Sequence, residues 1–220
     1  MPSPAPLPPP ELLARGPWAL EAVHAHWQEH EFEPPRADSE AADAAIADLR
    51  GRGSPSHDGR AARLVSHEVR DGRLLLEMQP LRWALRLLKD THGSMASLCV
   101  TRDAQGRWLA GRRAAWLSTW AGRWALGAGG SVDLHENPAR TLVRELDEEW
   151  SVAPERVQVE ALMRLPHDLV MLVGQAWLPD GAEVVPDHEH DEYAWWAADV
   201  DDWPAEADDA LRRMARFLSA

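Results

Sequence analysis

Four glutamates and one arginine stand close together in this chain: Glu136, Arg144, Glu145, Glu148 and Glu149. On a helix, Glu145, Glu148 and Glu149 fall at i, i+3 and i+4 and share one face. Like charges so placed repel one another, and helix packing alone would not select them. A hard cation would, because Mg2+ and Mn2+ prefer carboxylate oxygens and water. Gly127-Ala-Gly-Gly130 precedes the cluster; glycines there let backbone approach a ligand closely and free carbonyls to bind metal. Arg144 carries a planar fork that can orient Glu145 or pair with Glu136. A solvated acidic surface explains a bare Glu-Leu-x-Glu-Glu helix well, but it does not explain the spacing of the whole stretch Gly130–Val152.

These side chains need a rigid support. The helix that carries them is expected from Asn137 or Pro138 to about Trp150, with proline tolerated in its first turn. Leu142, Val143 and Leu146 lie elsewhere around it and can anchor it to a sheet. Before it, strands are expected at 97–101 and 108–111, joined by a hairpin at Asp103-Ala-Gln-Gly106, and at 124–126 leading into a glycine loop at 127–130. After it, strands are expected at 157–164, 169–177 and 193–197, with a turn at Pro179-Asp-Gly181 and a closing amphipathic helix over 205–218. Further upstream, residues 11–30 read as helical and 39–49 as a second helix capped by Asp38 or Ser39. Strands at 62–69 and 74–78 flank an Asp71-Gly72 turn. Residues 81–88 fit helix or strand equally. The class is α/β or α+β with a mixed sheet. The organisation expected is a disordered leader over 1–10, an N-terminal extension or small subdomain over 11–92 and a catalytic domain over 93–220.

The bulk properties agree. The chain has 220 residues, 45% of them hydrophobic, which is enough for a true core. A net charge of −13 disfavours a nucleic-acid polymer as partner, since phosphate backbones are held by clustered Lys and Arg. It leaves room for a small phosphorylated substrate, because metal ions can neutralise local carboxylates. Cys99 is the single cysteine, so no intrachain disulfide forms. With no signal-like start and no long apolar run, the expectation is a cytoplasmic protein with no membrane partner. The sequence leaves a homodimer open.

The stretch Gly130–Val152 resembles the Nudix box: Gly, five residues, Glu, seven residues, Arg-Glu, an aliphatic residue, any residue, Glu-Glu, any residue, Gly, aliphatic. Gly130, Glu136, Arg144, Glu145, Leu146, Glu148, Glu149 and Val152 match; Ser151 replaces the final glycine. That glycine ends the helix in a left-handed conformation, which serine adopts at modest cost. The resemblance extends from about Met95 to the C-terminus and implies a mixed sheet between helices. It implies metal-dependent hydrolysis of a nucleoside diphosphate derivative, with Glu145, Glu148, Glu149 and the Gly129 carbonyl as ligands of Mg2+ or Mn2+. Arg144 joins the catalytic set. The general base implied is Glu145 or a carboxylate of a later loop, where Glu189 and Glu192 stand; Glu192, just before the Tyr-Ala-Trp-Trp run, is preferred.

The substrate class expected is a nucleotide sugar or an ADP-ribose-like compound. Pro166, 15 residues beyond Ser151, is similar to a proline of ADP-ribose-cleaving members, and the region from Asp58 to Trp83 loosely resembles a UDP-glucose-cleaving subgroup. A catalytically silent nucleotide sensor is the main alternative, and a metal-assisted isomerase with Cys99 as nucleophile is a third reading. His188 and His190 could converge on one face of a strand, though a polar loop explains them more simply. Ser54, His57 and Asp58 invite a triad reading, but neighbours in sequence rarely form one, and turn chemistry explains the loop better.

Overall fold

A computed structural model describes residues 9–53, 58–117 and 120–219. Asp71-Gly72 turns the chain with both residues at positive φ, the geometry of a two-residue hairpin, and joins strands β3 (Arg60–Arg70) and β4 (Arg73–Arg82). Leu74, Leu76 and Met78 alternate inward along β4 and are fully buried. β2 (Val23–Trp27) lies parallel to β4 on its other side, completing a three-stranded sheet.

The larger sheet is mixed. Its order is β1-β9-β10-β5-β6-β11, with β8 paired to β5 and β7 to β6. The strands are β1 (Glu11–Trp18), β5 (Met95–Arg102), β6 (Trp108–Arg113), β7 (Trp124–Leu126), β8 (Ala128–Ser131), β9 (Arg156–Leu165), β10 (Leu169–Trp177) and β11 (His190–Trp196). β10 runs parallel to β5 and antiparallel to β9.

Alternation decides what packs on each face. Cys99, Leu109, Leu162 and Leu172 join Leu142, Leu146 and Trp150 of helix α2 (Pro138–Trp150). Their neighbours Val100, Ala110, Ala161 and Val173 join Leu211, Ala215 and Leu218 of helix α3 (Asp209–Ser219). The sheet therefore lies between two helices, as the mixed-sheet expectation required. The three-stranded sheet shares the α2 side, where Leu74, Leu76 and Met78 belong to the same core as Leu142. Helix α1 (Arg36–Gly51) packs Ala42, Ile46 and Leu49 on Leu81, Ala84 and Leu85.

Several sequence expectations are corrected. Residues 11–30 do not form one helix: they hold β1 and β2, with a single helical turn at Leu20–Ala22 between them. Their hydrogen-bond partners, β9 and β4, are remote in sequence, so local periodicity could not reveal them. Gly16 within β1 crosses so close to β9 that a Cβ there would reach the Val159 carbonyl. The glycine stretch 127–130 is largely strand, because β8 pairs with β5. Helix α1 starts at Arg36 with Pro35 in the cap position, and neither Asp38 nor Ser39 caps it. Residues 81–88 divide: β4 runs to Arg82, and a single helical turn covers Trp83–Leu87. The triad candidates Ser54 and His57, and residues 1–8 of the expected leader, lie outside the described residues.

Candidate active site

Asn137 starts α2 by accepting a hydrogen bond from the Ala139 amide (2.9 Å), and Pro138 occupies the first turn. The helix ends at Ser151, which sits at φ 52, ψ 40, as expected for the residue in the glycine position. Trp150, fully buried, donates its indole N–H to the Gly127 carbonyl at 3.0 Å. Both ends are thus held, and the acidic face of the helix is set over β8.

Arg144 organises that face. Its Nε and Nη2 grip the two Glu136 oxygens at 2.9 and 3.0 Å, and Nη2 also donates to the Ser131 carbonyl at 3.0 Å. Its Nη1 lies 2.8 Å from Glu145 Oε1 and 2.8 Å from Glu148 Oε2. The two roles considered for Arg144, orienting Glu145 and pairing with Glu136, are fulfilled together. Burial works against the Glu136 carboxylate, but hydrogen bonds from Arg144, Thr141 and the Asp133 amide outweigh it and lower its pKa.

Glu145 and Glu149 are buried, and Glu148 is exposed. The Glu145 carboxylate lies on Gly130, in the space a Cβ there would need. Burial pushes its pKa up to about 7, against the opposing charge of Arg144. Glu149 is raised well above the usual carboxylate range by burial and by the charge of Glu145, although Oε1 accepts the Gly129 amide at 3.0 Å. Glu149 Oε2 is buried with no hydrogen-bond partner. An orphaned carboxylate oxygen beside a second buried carboxylate is costly, and a cation would relieve it. The donor set therefore fits a divalent metal. Among the described residues, no three acidic, histidine or cysteine groups already form a cage, because Glu148 is turned onto Arg144.

A NUDIX domain family model matches residues 93–216, more than half of the 220 residues. The chain belongs to the NUDIX family. Several solved structures are similar to this chain. The DR0079 protein of Deinococcus radiodurans is 17% identical, with a TM-score of 0.52, over 72% of this chain and 98% of that one. The MutT protein of Methanosarcina mazei Go1 is 25% identical, with a TM-score of 0.44, over 58% of this chain and 96% of that one. The NUDIX domain of Shewanella oneidensis NrtR, solved with ADP ribose, is 20% identical, with a TM-score of 0.42, over 58% and 88%. No curated protein matches the chain.

Arg144, Glu145, Glu149 and Gly129 come together where the C-terminal half of this Nudix helix packs on β8, with Glu148 at the rim. Of the two later carboxylates, Glu189 is the nearer: its charge raises the pKa of both Glu145 and Glu149. Glu192, the preferred residue in the sequence, instead pairs with Arg112 at 3.2 Å on the exposed side of β11. A register irregularity between His190 and Glu192 breaks the alternation of β11, so Glu192 does not follow the buried His190 inward. His188 and His190 do not converge. His188 is exposed and stacks on Trp116, with ring centroids 5.4 Å apart. His190 is buried under Trp150, with Nε2 3.7 Å from Glu149 Oε2, and burial lowers its pKa against Asp187.

Two arginines that the sequence did not single out adjoin the cluster. Arg113, at the end of β6, lies 3.5 Å from Glu189 and acts electrostatically on Glu149. Arg86, on the turn Trp83–Leu87, acts on Glu145. Neither belongs to the Nudix box, and nothing in the local pattern of Leu81–Leu88 marks Arg86 as a site residue.

Proposed function

We propose that this chain hydrolyses the diphosphate bond of a nucleoside diphosphate derivative, a nucleotide sugar or an ADP-ribose-like compound, and releases a nucleoside monophosphate. The observation that carries the reading is the buried Oε2 of Glu149, which accepts no hydrogen bond and has His190 Nε2 3.7 Å away, next to the buried Glu145 carboxylate. Such a pair supports strong cation binding and has little use without it. Mg2+ or Mn2+ held by Glu145, Glu148, Glu149 and the Gly129 carbonyl would neutralise the diphosphate and activate water for attack at phosphorus.

The protein's own groups have definable tasks. Arg144 fixes the Glu145 carboxylate through Nη1, while Glu136 and Ser131 fix Arg144. Glu145, held in place by Arg144, would accept a proton from the attacking water. Glu189 is the carboxylate from the later loop best placed to assist, given its electrostatic effect on the pair. The net charge of −13 supports a small-molecule substrate over a nucleic-acid polymer. No described helix is long and apolar enough to cross a membrane.

The test is a panel of nucleotide sugars, ADP-ribose and related diphosphates with Mg2+ and Mn2+, reading nucleoside monophosphate and phosphate. Glu149→Gln should fold and lose at least about 100-fold in kcat. Full activity in that variant would refute the assignment. Tight binding without turnover across the panel would favour a nucleotide sensor on the same fold.

A further inference from the structure

We propose that Arg86 is a substrate-binding residue, its guanidinium holding a phosphate group of the nucleotide beside Glu145. The inference rests on the diphosphate-hydrolase reading and adds to the site a residue from outside the matched stretch 93–216.

The turn that carries Arg86 is anchored to the site. Trp83 Nε1 donates to Ser131 Oγ at 3.1 Å, one residue beyond Gly130. The Ala84 amide donates to Asp58 Oδ1 at 3.2 Å, and Ala84 and Leu85 are fully buried. The Ala62 amide donates to the Val132 carbonyl at 3.0 Å, which ties β3 to the same loop. Residues 83–87 are therefore held at the exit of β8, where Arg144 also takes the Ser131 carbonyl.

Arg86 is placed there without a partner of its own. Among the described residues nothing lies within hydrogen-bond or ion-pair distance of its guanidinium, and Trp83, with its ring 5.7 Å away, is its one cation–π neighbour. It is largely buried, and its nitrogens are not among the buried orphan atoms, so the head group is not sealed from solvent. Burial lowers its pKa, the Glu145 charge opposes this, and Arg113 adds to it. A guanidinium enclosed on most sides yet not sealed from solvent can still admit an anion.

A purely structural role accounts for this poorly. Neutralising Glu145 would place Arg86 at ion-pair distance, but Arg144 already occupies that position at 2.8 Å. Arg86 and Arg113 are also close enough to repel. Two guanidinium groups close enough to repel are stabilised by an anion bound beside them, and a forked guanidinium matches phosphate oxygens. In a chain of net charge −13, such a local positive site also offsets repulsion of an anionic substrate.

The probe is α,β-methylene-ADP, whose phosphates are joined through carbon and resist hydrolysis, titrated calorimetrically with Mg2+. Wild type should bind, and Arg86→Met, which keeps the stem over Trp83, should bind at least about 10-fold more weakly. Arg86→Lys should fall between them. If Arg86→Met does not fold, Arg86→Gln decides. Equal affinity in a folded neutral variant overturns the proposal, as does collapse of both neutral variants or no binding by wild type. In the activity assay, an unchanged KM in Arg86→Met overturns this proposal and leaves the hydrolase reading standing. Loss of analogue binding in Arg86→Met, with no substrate hydrolysed by wild type, supports the phosphate contact and removes the hydrolase reading.

Discussion

The carboxylate of Glu145 rests directly on the backbone of Gly130, filling the volume that any side chain at 130 would require. The glycine that opens the Nudix stretch is thus explained by space: its φ is not in the left-handed region, but a Cβ would overlap the carboxylate.

Gly130→Ala should therefore separate activity from stability. The atoms in the way belong to the end of a flexible side chain, so Glu145 can swing aside at small cost. Thermal unfolding should change by no more than about 1 kcal/mol, whereas kcat falls at least about 10-fold because the carboxylate is displaced. Activity retained at the wild-type level would show that the position of Glu145 is not critical.

The buried carboxylates predict a pH-dependent weakness in the metal-free protein. Burial raises Glu145 from 4.5 to about 7, so between these values the folded chain holds a proton that the unfolded chain releases. Metal-free stability should fall as pH rises from about 4.5 to about 7, and Mg2+ should restore it. Glu145→Gln should flatten the decline and raise the metal-free Tm at pH 8 by a few degrees, since about 1 kcal/mol moves Tm by roughly 2–4 °C in a chain of this size. A wild-type Tm that is level across the window contradicts this.

Ser151 occupies a left-handed position at φ 52, where the Nudix pattern has glycine. Ser151→Gly should stabilise the fold by about 0.5–1 kcal/mol by removing a Cβ clash, with turnover unchanged. The comparison is by chemical denaturation, and a lower midpoint in the variant would refute the strain argument.

Cys99 is fully buried in β5, and burial pushes its thiol pKa up to about 12. Such a thiol is not a nucleophile. Native protein should resist thiol reagents, and Cys99→Ala should keep kcat within about twofold while losing about 1 kcal/mol of stability. Rapid labelling, or loss of activity on substitution, would revive the isomerase reading.

Much of the site was readable before any fold was known. The helix Pro138–Trp150, its proline start and its left-handed exit at Ser151 follow from local rules, because capping, periodicity and spacing act over a few residues. The shared face of Glu145, Glu148 and Glu149 is a consequence of helical geometry. So are the hairpin at Asp71-Gly72 and the mixed α and β pattern.

Tertiary structure decided what depends on distant partners. Residues 11–18 and 23–27 are strands because β9 and β4 supply their hydrogen bonds. The pairing of β11 with β6 sets Glu192 on Arg112, and electrostatic proximity links Glu189 to the buried pair. Arg86 comes within electrostatic range of Glu145 because Trp83 is tied to Ser131, far along the chain. The sequence by itself determined the carboxylate helix and the shared face of its glutamates, since those rest on local spacing. Which of the carboxylates are buried, which charges surround them and what lines the cleft emerged only when remote segments packed together, because burial and electrostatics depend on distance in space.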